Sequence, residues 1–188
     1  RANYTFSKLT DDFGANHCDG CGASMTNPFD RSFDYGISST NVPNVFHLSA
    51  VWQMPRLTSG RLLGTLANGW ELSGVTNWRN GFPFTVFSGV DNSFTGVNWG
   101  TTRADFTGSK ISEAKYGDRA HGQMVQQYFN TSLFVVNAVG TFGNSPLNAL
   151  QSPGLFNTDF AAMKSFRITE EANVQFRAEF FNIFNNVN

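Results

Sequence analysis

The sequence is poor in charge, with thirteen Lys plus Arg against fourteen Asp plus Glu in 188 residues. Without a net field of either sign, it has no means of steering nucleic acid or an anionic surface, and no nucleic-acid partner is expected. Long apolar runs are also missing. None approaches the roughly 18 residues of a spanning helix, which excludes a helical membrane protein. It does not exclude a membrane barrel, whose strands need only about ten alternating residues. There is no G-x-S-x-G elbow, no H-E-x-x-H and no Walker A pattern. The three histidines are scattered: His17 in a loop, His47 in mid-strand, and His121 in a loop beside Asp118 and Arg119. No enzymatic activity and no cofactor are expected. No repeat period of roughly 20 to 50 residues emerges, which argues against a solenoid or propeller. The chain opens directly on strand-like sequence without a charged-then-apolar leader, so a complete secretory precursor is not expected.

What is present is phenylalanine, which supplies 20 of the 28 aromatic residues, together with 18 glycines and many Thr, Val, Asn and Ser. That mixture suits strands joined by long polar loops. In "RANYTFSKLT", Ala2, Tyr4 and Phe6 alternate with Asn3, Thr5 and Ser7, the two-residue period of a strand. The same period recurs elsewhere, giving strands over about 1–10, 44–55, 70–88, 155–169 and 174–186. In the third, Asn80-Gly81 and Pro83 read as a bend within one long strand. Loops 11–43 and 90–154 are long, whereas the links after the second and fourth strands are short. Antiparallel strands send alternate connections to opposite ends, so the long loops share one end. The expected fold class is all-β, antiparallel, with its long loops at one end, as in outer-membrane barrels. Strands this long, with aromatics near their ends (Trp52, Trp70, Trp78, Phe84, Phe184), fit aromatic girdles at a membrane boundary. Periodicity alone also fits a half-buried sheet in a soluble domain.

The two cysteines fall in "NHCDGCG", as Cys18 and Cys21. Structural zinc takes four ligands, often from two C-x-x-C halves, and only one half is here. A redox pair belongs at a helix N-terminus in a βαβ unit, whereas this pair follows a strand in a Gly-rich loop. A local disulfide between Cys18 and Cys21 is the favoured reading. A metal held by His17, Cys18 and Cys21 is the alternative.

Several stretches carry a family likeness: "ANYTFSK" (Ala2–Lys8), "GWELSGVTNWRNGFPFTV" (Gly69–Val86), "RADFTG" (Arg103–Gly108), "GTFGN" (Gly140–Asn144), "SPG" (Ser152–Gly154), the Lys164–Glu170 run and "QFRAEFFNIFN" (Gln175–Asn185). In this order they resemble the late barrel strands of TonB-dependent outer-membrane receptors. The closest likeness is to the large type with a carboxypeptidase-regulatory-like N-terminal domain. The resemblance implies a fragment of a 22-stranded transmembrane β-barrel in the bacterial outer membrane. It also implies partners: outer-membrane lipid, the rest of the receptor including its plug, a TonB-type energy-coupling protein, and a nutrient such as an oligosaccharide, peptide or metal chelate. The loop pieces "FDRSFDYG" and "SFTGVNWG", with the adjacent Asn92, offer aromatic and amide groups suited to stacking and hydrogen bonding. The candidate ligand-binding residues are Phe29, Asp30, Arg31, Tyr35, Asn92, Asn98 and Trp99; the rival reading is that they only pack the loops. Two other functions stay open: a soluble extracellular β-sandwich that binds carbohydrate, and a structural subunit pairing through sheet edges.

Overall fold

The computed structural model describes residues 1–12, 26–27, 29–58, 60–95, 102–117, 119–169 and 171–187. His17, Cys18, Cys21, Asn98, Trp99 and Asp118 lie outside them. The chain divides into two compact units. One comprises residues 1–6, 43–80 and 153–188; the other comprises residues 7–42 and 81–152.

The first unit is an antiparallel sheet of five strands: β1 (Ala2–Phe6), β2 (Asn44–Gln53), β3 (Trp70–Arg79), β4 (Leu155–Arg167) and β5 (Asn173–Phe180). They pair in the order β1-β2-β3-β4-β5. Register carries the sequence alternation across the whole sheet. Tyr4 lies beside Phe46, Phe46 beside Trp78, and Trp78 beside Phe156. Farther along, Trp70 lies beside Lys164, which lies beside Phe176. One face therefore carries Tyr4, Phe46, Leu48, Trp52, Leu72, Trp78, Phe160 and Phe180, and the other His47, Ser49, Glu71, Asn77, Asp159, Arg177 and Glu179. Within this unit most of the apolar face is left open, with Phe6 71% exposed, Trp52 55% and Phe176 52%; the β2–β3 link covers it only near Trp70 and Lys164.

Groups on the polar face pair with one another. His47 Nδ1 meets Asn77 Oδ1 at 2.6 Å, Gln53 donates to Glu71 at 3.2 Å, and Arg177 pairs with Glu179. On the apolar face the Thr76 and Thr158 hydroxyls satisfy each other at 3.1 Å, because an unpartnered hydroxyl would be costly in an apolar setting. Phe6 lies opposite Asn44, and Val45 opposite Arg79, which lies opposite Leu155. Both long connections therefore leave and re-enter the sheet at the same end.

All five strands end earlier than the sequence pattern predicts, β2 at Gln53 rather than residue 55. β1 stops at Phe6 rather than residue 10, and Thr10–Asp11 pairs instead with Gly36–Ile37. β3 stops at Arg79 rather than residue 88. The bend at Asn80-Gly81 is a departure from the sheet: Pro83–Phe84 pairs with Leu150–Gln151 in the other unit. Pro83 has no N–H for a central ladder, so the chain cannot simply resume the strand. β4 ends at Arg167, where Ile168 N and Thr169 N both turn back to Ala172 O. β5 stops at Phe180 rather than residue 186, because Asn182 and Asn185 adopt left-handed backbone with φ of 47° and 50°. Asn182 then closes a local turn, its side chain accepting from Asn186 N and donating to Asn186 O. The β2–β3 link also contains a short helix, α1 (Arg61–Ala67), absent from the sequence reading.

The second unit is folded where the sequence reads as polar loop. It holds the buried aliphatic side chains of the described residues, Ala104, Ala114, Leu147 and Leu150. A ring cluster joins Phe84, Phe129, Phe134 and Phe106 through centroid separations of 5.3–5.7 Å. A buried ion pair, Arg103–Asp34 at 3.7 Å, ties its segments together. Arg103 also donates to Phe33 O (2.7 Å) and Ser145 O (3.1 Å) and lies 3.9 Å from the Phe33 ring centroid. Burial pulls the Arg103 pKa below its ordinary value, and the Asp34 charge opposes that shift.

Candidate functional site

Of the five expected ligand-binding residues that the structure describes, Asp30, Arg31 and Asn92 bond within the loop fold itself. Asp30 caps the 3-10 turn Arg31–Asp34, accepting from Ser32 N (3.0 Å) and Ser32 Oγ (2.6 Å). Arg31 pairs with Asp12 at 2.6 Å. Asn92 donates to Asn137 O (2.7 Å), and its carbonyl accepts from Gly140 N. Phe29 and Tyr35 are exposed, Tyr35 with its hydroxyl 3.4 Å from Thr10 Oγ1. None of these five lines the two largest clefts described in this unit.

Those clefts are built around residues 115–131, a segment without a predicted role. Its ends are pinched by a bridge between Lys115 and Phe129 and by the Asn130 N to Ala114 O bond. Ala114 is wholly buried and Phe129 packs on Phe84 and Phe134, so both ends are anchored in the ring cluster and its aliphatic surroundings. Between the anchors the chain forms α2 (His121–Gln126). The first cleft, about 610 Å³, is lined by Lys115, Tyr116, Arg119, Met124, Tyr128 and Phe129 among others. The second, about 630 Å³, is lined by Arg119, Gln123, Gln126, Gln127, Tyr128 and Thr131. The two adjoin, since Arg119 and Tyr128 line both. The Arg119 guanidinium lies 3.4 Å from the Tyr116 ring centroid and donates to Gln127 O at 3.4 Å. Burial raises the Tyr128 phenol above its ordinary 10.0, keeping it a neutral donor. The density of Gln and Tyr over residues 123–128 was the available sequence signal; an absent motif and a short helix concealed it.

A family model described as an outer membrane beta barrel domain matches residues 1–188. The chain belongs to that family. The protein accordingly resides in the bacterial outer membrane, and its exposed apolar sheet face is of the kind that outer-membrane barrels turn to lipid. The soluble-sandwich reading falls with that assignment. No curated protein and no solved structure matches the chain. On the apolar face, Trp70 and Trp78 lie at opposite ends of β3. They are about 26 Å apart along the strand, or about 20 Å along the barrel axis at the usual tilt, near the height of a membrane apolar band. Lys164, on the same face beside Trp70, is buried and donates to Leu66 O (2.7 Å) and Asn68 O (2.6 Å) at the end of α1. Its charge is thereby withdrawn from lipid.

Proposed function

We propose that this barrel domain is part of a TonB-dependent receptor: a 22-stranded channel with a plug, taking up a nutrient with energy supplied by a TonB-type partner. The domain itself carries no catalytic role in this reading. The observation that carries it is the folded loop unit with its ligand-sized clefts, built from the two long connections that leave one end of the sheet. Long external loops are common to outer-membrane barrels, and a receptor folds them into preorganised sites that hold its cargo. The order of family-like stretches, from "ANYTFSK" to "QFRAEFFNIFN", supports the same class. Uptake by cells expressing the intact protein tests it. Accumulation of the cognate nutrient should stop when the TonB-type partner is deleted or the proton gradient is collapsed. Passive, gradient-independent flux would contradict the proposal.

A further inference from the structure

We propose that the paired clefts around Arg119 bind an acidic oligosaccharide, a sugar chain carrying carboxylates. The inference rests on the receptor reading and names its ligand class.

The first argument is charge. Among the described residues lining the two clefts, Lys115 and Arg119 are cationic and none is a carboxylate. Arg119 lines both clefts and is the cation that an anionic group meets in either.

The second argument is the state of that centre. Stacking on Tyr116 and the bond to Gln127 O fix the guanidinium plane before any ligand arrives. A guanidinium carries five N–H donors, so a flat fork remains available to a carboxylate, which it can bind through two parallel hydrogen bonds.

The third argument separates a sugar from other anions. Gln123 and Gln126 stand three residues apart on α2, and Gln127 follows as its extended C-cap, its amide nitrogen donating to Thr131 Oγ1 at 3.4 Å; all four line the second cleft. Each amide offers both donor and acceptor, the pairing that vicinal hydroxyls require. Tyr128, which lines both clefts, provides a flat apolar surface for the C–H face of a pyranose ring. The second cleft has amides where an acidic peptide would need apolar anchors. Because the clefts adjoin through Arg119 and Tyr128, a ligand of several sugar units spans both.

Calorimetric titration of the intact outer-membrane protein in detergent tests the proposal. The probes are tetragalacturonate, tetramannuronate, the methyl ester of each, and tetraglutamate. At least one uronate should bind, with its ester and tetraglutamate each weaker by about tenfold or more, the loss of one charge-assisted contact. Arg119→Gln and Lys115→Gln should each weaken the uronate by about tenfold, and added salt should do the same in the native protein. Lys115 is exposed, so its variant reports on binding even if Arg119→Gln fails to fold. Binding of neither uronate, equal binding of the esters or of tetraglutamate, or indifference to Lys115→Gln would overturn the inference. Uptake assays keep the two claims apart. Uronate binding without TonB-dependent uptake would sink the receptor reading alone. TonB-dependent uptake of another nutrient, with no uronate bound, would sink this inference alone.

Discussion

Gly143 shows how one residue can hold a loop unit together. Its φ of 72° lies in the left-handed region, and a Cβ there would stand 1.9 Å from Arg103 O. Next to it, Asn144 Oδ1 accepts from Phe106 N at 2.6 Å, while Asn144 N donates to Asp105 Oδ1 at 2.9 Å. The stretches "RADFTG" and "GTFGN" are therefore two halves of one joint. Gly140 makes a natural control, with φ of 81° and open space where a Cβ would go. Gly140→Ala should cost about 1–2 kcal/mol, the left-handed penalty alone. Gly143→Ala should cost clearly more and loosen the joint, read as faster hydrogen exchange at the amides of Ala104 and Phe106. The Arg103–Asp34 pair is the other joint. Asp34→Ala leaves the guanidinium buried without its counter-charge and should destabilise the loop unit by about 3–5 kcal/mol, measured as increased protease cleavage within residues 26–37 and 102–106.

At the scale of elements, β4 offers neighbouring alanines on opposite faces. Ala161 lies beside Ser73 and Glu179, whereas Ala162 lies beside Leu72 and Ala178. Ala162→Arg, opposite Leu72 and between the Trp70 level and the middle of β3, should cost about 1–3 kcal/mol and reduce assembled barrel, and Ala161→Arg should be tolerated. Heat-modifiable mobility of the intact protein on gels measures both. The Lys164 tether gives a second test: Lys164→Met should lose about 1.5–3 kcal/mol and free the 54–69 link, read by proteolysis there. The elements also show what was legible beforehand. Alternation along β2, β4 and β5 was readable because side chains repeat every two residues and one face is mostly apolar, with Thr158 and Lys164 as its polar members on β4. The end of β3 at Arg79 was not, because Phe82 to Phe87 keeps strand-like composition while its partners change to Leu150–Gln151. Nor was the Phe84, Phe106, Phe129 and Phe134 cluster readable, since rings so far apart in sequence leave no periodic trace. The cleft was missed for the same reason: Lys115, Arg119 and Tyr128 meet only because the Lys115–Phe129 bridge closes the segment between them.

At the scale of the whole molecule, an uncovered apolar sheet face would be a liability in water and is a requirement in lipid. The chain concentrates buried aliphatic side chains in its loop unit and leaves its sheet with rings on one side and hydrogen-bonded polar groups on the other. That division of labour separates a membrane barrel segment from a soluble domain, which would reverse it. The central claim is that the face bearing Phe156, Thr158, Phe160 and Ala162 meets lipid while the face bearing Asn157, Asp159, Ala161 and Met163 meets water. Spin labels placed singly at each of residues 156–163 of the intact protein, reconstituted in bilayers, measure this directly through collisions with oxygen and with a water-soluble nickel complex. The account predicts strict alternation, oxygen-accessible at even positions and nickel-accessible at odd ones. Uniform water accessibility, or protection of the even positions from both reagents, would contradict it.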